Sequence, residues 1–187
     1  IRTNTNATFL QNINVGVAIT AGKLGIGFTD SNVKVGNTAL DSLTTGGNNT
    51  AVGTNALTAN TTGLNGTAVG LESLKSNTTG NHNAALGKSA LEFNTTGDQN
   101  TAVGTFALDA NTTADQNTAV GYNALGANTT GQFNSALGVG ALQSNTTASN
   151  NTAIGVNALL LNTTGTELVA VGGYALDAST TASNNTA

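Results

Sequence analysis

From Asn32 to Asn184 the chain divides without insertion or deletion into nine units of seventeen residues, and Asn185-Thr186-Ala187 begin a tenth. No other property of the sequence restricts the fold as severely, since a fixed period means one structural unit stacked on itself. Numbered within the unit, the fifth position is always glycine, as at Gly53, Gly70, Gly104 and Gly121. The ninth is always leucine, as at Leu57, Leu74, Leu108 and Leu125. The fourth is Val, Leu or Ile, and the thirteenth and fourteenth are Thr-Thr in every unit. The twelfth is asparagine, as at Asn60, Asn77, Asn111 and Asn128, except for Leu43 and Ser179.

Seventeen residues are too few for a helical-hairpin repeat of about 34, and no unit holds a ten-residue helical pattern. Each contains a short extended piece such as Thr50-Ala51-Val52, closed by glycine, and a second apolar piece such as Ala56-Leu57, which reads as a strand or one helical turn. The Asn-Thr-Thr-Gly that follows is turn chemistry: Asn and Gly tolerate left-handed backbone, and Asn and Thr side chains satisfy turn amides. The expected fold is all-β, a parallel β-solenoid or β-roll with one unit per coil. At the spacing of strands in a sheet, about 4.8 Å, nine coils make a rod about 43 Å long. Residues 32–187 form this solenoid, and residues 1–31 a lead-in with short strand signals such as Asn14-Val15-Gly16-Val17-Ala18-Ile19.

Stacked coils place equal positions in columns. The fourth-position aliphatics and the leucines are expected to form two apolar ladders inside the rod, the twelfth-position asparagines an amide ladder, and the glycine a corner where another backbone comes close. The third position is Ala51, Ala68, Ala85, Ala102, Ala119, Ala136, Ala153 and Ala170, with Lys34 the exception. Strand neighbours point to opposite faces. If the fourth position faces inward, so constant a third position implies a second packed face, against another copy of the chain. Composition agrees: aromatics are 4%, Trp and Met are absent, and the core of one coil is too thin to offset the ordering of seventeen residues. Lateral self-association in a homo-oligomer is therefore expected.

NTAVGxxAL followed by NTTG, as in Asn49–Gly63, resembles the repeats of bacteriophage tail-fibre proteins and is similar to the head repeats of trimeric autotransporter adhesins. Gly22-Lys23-Leu24-Gly25-Ile26-Gly27 looks like the lead-in before such repeats. The resemblance implies a parallel β-roll assembled as a homotrimer, either on a virion or at a cell surface.

Chemistry-bearing residues are few. Asn60, Asn77, Asn94, Asn111, Asn128, Asn145 and Asn162 each begin an N-glycosylation sequon, but the repeat itself accounts for every one as the turn the coil requires. Gly22, Gly25 and Gly27 have the wrong spacing for a dinucleotide loop, and Lys23 is followed by Leu24 rather than Ser or Thr. With one histidine, His82, and no cysteine, there is no material for a catalytic triad or zinc site, nor for disulfides. No cofactor is expected and the chain does not read as an enzyme. Glu92 and Asp109 share the tenth column of adjacent coils, and Asp98 and Asp115 the sixteenth, each pair about 5 Å apart in register. That separation fits a retaining glycosidase, but a straight face offers no concave site. Asp98 and Asp115 are the calcium candidates, against a plainer reading as a solvated acidic face, which is preferred. Phe93, Phe106, Tyr122, Phe133 and Tyr174 fall in variable columns, available to sugars or proteins but better suited to contacts between subunits.

The balance of 5 basic to 9 acidic side chains gives no basic patch for nucleic acid. No run of about 18 apolar residues provides for membrane insertion. An opening at Ile1 rather than Met and an ending three residues into a unit are expected of a processed chain or a segment of a longer one. The function expected is the shaft of an extracellular fibre of phage tail-fibre type, presenting a tip for host attachment through a surface receptor or glycan. The alternative is a bacterial surface adhesin or polymeric filament. A third, ice binding, would need threonine ladders on a flat face, whereas the threonine pairs sit in the turn.

Overall fold

The computed structural model describes residues 31–187. The lead-in, with its Asn14–Ile19 strand signal and its Gly22–Gly27 segment, lies outside the described residues except for Ser31. Among the described residues nine three-residue strands follow one another: β1 (Val33–Val35), β2 (Thr50–Val52), β3 (Thr67–Val69), β4 (Ala84–Leu86), β5 (Thr101–Val103), β6 (Thr118–Val120), β7 (Ser135–Leu137), β8 (Thr152–Ile154) and β9 (Val169–Val171). They form one parallel sheet in sequence order, each residue paired with its equivalent seventeen positions on. The molecule is a parallel β-solenoid, with eight full turns separating β1 from β9.

Local backbone geometry explains how so short a segment closes a turn. The fifth-column glycines all have φ between 133° and 140°, a region that L side chains rarely adopt. The ninth-column leucines follow with φ near 50°, from 48° at Leu74 to 53° at Leu91. Left-handed residues also occupy the seventh and seventeenth columns, among them Glu72, Phe106, Phe133 and Glu167. The Ala56-Leu57 piece is thus neither strand nor helix but a tight turn whose leucine is held in a conformation unusual for a bulky residue. That turn projects the side chain into the interior, where Leu57, Leu74, Leu91, Leu108, Leu125, Leu142 and Leu159 are at most 1% exposed.

The strand faces are the reverse of the expectation. Ala51, Ala68, Ala85, Ala102, Ala119, Ala136, Ala153 and Ala170 are buried within a single chain, in one cluster with the leucines and the eighth-column alanines such as Ala56 and Ala107. They cannot lie between chains. The fourth-column residues are not in this cluster: Leu86, Leu137 and Val171 face outward at 51%, 50% and 58% exposure. The reason is volume. Each coil already sends one leucine across its narrow interior, and the space left beside the strand admits a methyl group but not a branched side chain.

Polar columns close the coil. In the twelfth column each buried amide donates to the one before it, as from Asn77 to Asn60 (2.9 Å), Asn94 to Asn77 (2.8 Å) and Asn111 to Asn94 (2.7 Å). The same nitrogen donates to the carbonyl three residues on, Gly80, Gly97 and Ala114 in turn. The amide ladder is as expected. A second one was not: the first column is Asn in seven of nine units, with Gly66 and Leu168 the exceptions. Asn100 shows its role, accepting from the backbone of Asn117 in the next coil (3.0 Å) and donating to Ala114 at the end of its own (2.8 Å). This side chain ties the start of a coil to its finish. In the thirteenth column the Thr78 carbonyl accepts from the backbone and hydroxyl of Thr61 and from the backbone of Thr62. Ser179 replaces asparagine in the last coil, and its hydroxyl is the one buried side-chain polar atom without a partner among the described residues.

Candidate functional site

The residues singled out from the sequence for chemistry are placed by this scaffold in structural roles or on the outer surface. The sequon asparagines Asn60, Asn94, Asn111, Asn128, Asn145 and Asn162 are fully buried and Asn77 is 2% exposed, with their amide nitrogens committed to the ladder. A glycan on any of them is incompatible with the folded coil.

Asp98 and Asp115 are stacked in the sixteenth column, where the side chain caps the amide of the preceding coil. Asp98 accepts from the backbone of Asn81 (2.6 Å) and Asp115 from that of Asp98 (2.7 Å). Asn81 does the same for Leu64 and Ser149 for Gln132, so the carboxylates act here as two members of an acceptor column. Among the described residues no three His, Cys, Asp or Glu side chains cluster for a metal.

The tenth column holds Lys75, Glu92 and Asp109, with the seventh-column Glu72 beside them. Lys75 pairs with Glu72 at 2.9 Å and with Glu92 at 3.5 Å. The hydrogen bond from Lys75 holds the Glu72 carboxyl below its ordinary range and raises the lysine in return. Asp109 is shifted upward, chiefly because partial burial disfavours its charge, with the charge of Glu92 adding to the effect. One coil further, Gly126 leaves the column without a side chain and opens a recess of about 360 Å³, lined by Asp109, Asn123, Gly126, Ala127, Gln143 and Ser144. It is a shallow, open notch. His82 is exposed at a left-handed seventeenth position.

The aromatics are more organised than their scatter in sequence suggests. Phe106 and Tyr122, in adjacent coils, meet edge to face at 6.1 Å and 81°, with the Lys88 ammonium 5.5 Å from the Phe106 ring centre. Phe93, Tyr122, Phe133 and Tyr174 are each more than half exposed.

A regular apolar surface lies on the outer face of the sheet. Its second column is mostly threonine and its fourth wholly aliphatic, and the eighteen residues of the two columns carry no charge. In the sixth column Leu71 adds to the apolar stripe in the third coil, and Tyr122, Val139 and Val156 widen it over the sixth to eighth. Period-two alternation had identified the two strand faces. Only the crowding by Leu57 and its equivalents decided which was outward. Comparison with protein-family models, curated proteins and solved structures finds no match to the chain.

Proposed function

We propose that this chain is a structural shaft segment of an extracellular fibre that carries a binding tip towards a host surface. The observation carrying the reading is the constancy of the rod: eight turns in one register, tied coil to coil by hydrogen bonds between equivalent residues, with a continuous apolar stripe along one side. Such an object transmits position along an axis and invites lateral assembly. Several copies side by side form the shaft, three by the resemblance to phage tail-fibre and trimeric autotransporter head repeats. The variable tenth and sixteenth columns lie outside that stripe and are free to adapt to a receptor or glycan.

A phage tail fibre is the preferred owner, and a bacterial surface adhesin or polymeric filament the alternative. The test uses antibodies raised against the folded rod, applied to intact virions and intact cells under the electron microscope. Label along fibres projecting from virions supports the reading, and label on cell-surface filaments selects the alternative. Label confined to the interior of lysed cells overturns both.

A further inference from the structure

The tenth column carries a side chain in every unit except at Gly126. The recess of about 360 Å³ opens at that gap, between Asp109 of the fifth coil and Gln143 of the seventh, with Asn123, Ala127 and Ser144 around it. The geometry points to a binding site for one neutral pyranose unit of a surface glycan. The inference rests on the extracellular-fibre reading and gives the receptor a chemical class and a place on the rod.

Four observations carry it. The first is unused hydrogen-bonding capacity. Asn94 and Asn111 commit their side chains to the amide ladder, and Asp98 and Asp115 to backbone amides of the preceding coil. Among the described residues, by contrast, the half-buried carboxamides of Asn123 and Gln143 and the hydroxyl of Ser144 make no hydrogen bond within the protein. Side by side they offer both donors and acceptors, which suits sugar hydroxyls that are each donor and acceptor at once. The second is Asp109. Its column accepts Thr58, Lys75, Gln143 and Leu160, so the coil has no need of a carboxylate there, and burial disfavours the charge despite the neighbouring Ala110 amide. Hydroxyl donors from a sugar would satisfy that charge with strong hydrogen bonds.

The third is size and charge. The recess lies near the lower end of small-molecule sites, about 300–1,000 Å³, and admits one ring rather than a folded oligosaccharide. No lysine or arginine lines it to hold an anion, and one carboxylate is little charge for a calcium ion that takes about six to eight oxygens. The fourth is the rim. Phe106 lies one coil below Asn123 in the seventh column and Tyr122 directly precedes it, so the edge-to-face pair flanks this lining residue. Half-exposed rings there provide an apolar wall for the C–H face of a sugar. Assembly through the outer sheet face leaves the recess open, and its recurrence in every copy of a fibre strengthens a weak single site.

Titration of the isotope-labelled 187-residue chain with the methyl glycosides of glucose, galactose, mannose and N-acetylglucosamine reads binding from backbone amide shifts. At least one should saturate with a Kd on the order of 1–10 mM, as befits so small a ligand, with shifts centred on Asn123, Gly126 and Ala127. A disaccharide ending in the same sugar should bind at least as tightly. Gly126→Gln fills the recess and should weaken binding about tenfold or more. It leaves the coil folded, because Gly126 has no left-handed φ and a Cβ there first meets the Asn123 amide oxygen, the end of a side chain able to swing away. Asp109→Asn should weaken binding about fivefold or more, and Asp98→Asn, which repeats the Asn81 arrangement in the sixteenth column, should leave it unchanged.

No saturation by any of the four glycosides, or saturation that Gly126→Gln leaves unaltered, overturns the inference and leaves the shaft intact. Exclusion of the disaccharide overturns the glycan and assigns the recess to a free sugar. The same amide shifts produced by calcium alone, without sugar binding, show that a cation occupies it instead. Saturation by a glycoside together with antibody label confined to lysed cells removes the shaft reading and its surface glycan while a sugar site remains.

Discussion

Replacing Gly104 by alanine separates two explanations of the fifth column. A Cβ on Gly104 would lie 2.7 Å from the carbonyl carbon of Gly121 in the next coil and closer still to its oxygen. Both are backbone atoms of the sheet, so relief requires moving a coil. The same substitution at Gly172 meets nothing nearer than the Ala175 methyl at 4.0 Å, although its φ of 134° matches the 135° of Gly104. Backbone strain is therefore common to both, on the order of 1–3 kcal/mol. Gly104→Ala adds overpacking of about 1–3 kcal/mol and weakens ladder hydrogen bonds such as that from Gly121 to Val103 (2.8 Å), at about 1 kcal/mol each. The expected losses are about 3–7 kcal/mol at Gly104 and about 1–3 kcal/mol at Gly172. Urea titration followed by far-ultraviolet circular dichroism measures both in the 187-residue chain. A broadened transition is also expected for Gly104→Ala, because a break in the middle of a nearest-neighbour array uncouples its halves. Equal losses at the two sites would refute the argument, leaving φ alone as the reason for glycine.

Asn111→Ala removes a buried amide bonded to Asn94, Ala114 and Asn128, and should cost about 2–4 kcal/mol in the same titration. Ser179→Asn restores the amide where the ladder lapses and should add about 1 kcal/mol, read as a higher melting temperature. Phe133→Asn exchanges an exposed ring at φ 58° for a residue that accepts left-handed backbone, and should stabilise by up to about 1 kcal/mol despite deleting an aromatic. Asp109 binds its proton more tightly folded than unfolded, so wild-type stability falls as pH rises from the unfolded value of 3.8 through the raised folded one. Asp109→Asn should therefore melt higher than wild type at pH 7, and the difference should shrink as the pH is brought below 3.8.

The period, the glycine and leucine columns and the twelfth-column amide ladder were legible because each is one residue type repeated at one position. The orientation of the strand was not. Alternation shows that Ala102 and Val103 point opposite ways, and the usual rule sends the larger apolar side chain inward. Here Leu108 has already taken the interior, which is a property of the neighbouring turn and not of the strand. The left-handed leucines hid for a related reason, since nothing about Leu marks a positive φ and only closure of the coil imposes it. Asn100 and its first-column equivalents were visible as a recurring residue, but their role emerges once the end of a coil is seen to return to its beginning. The Phe106–Tyr122 pair needed register as well as position, the two rings being sixteen residues apart and one coil removed.

The ladder hydrogen bonds join each asparagine to its own equivalent seventeen residues away. A unit copied or deleted as a whole thus creates no new kind of junction: the donor on one side finds the acceptor it would have had anyway. Reach becomes a counted quantity, altered in steps of about 4.8 Å by gene duplication without redesign of any contact. Insertions of any other size throw every column out of step. The rod behaves as a ruler whose divisions are written in the sequence.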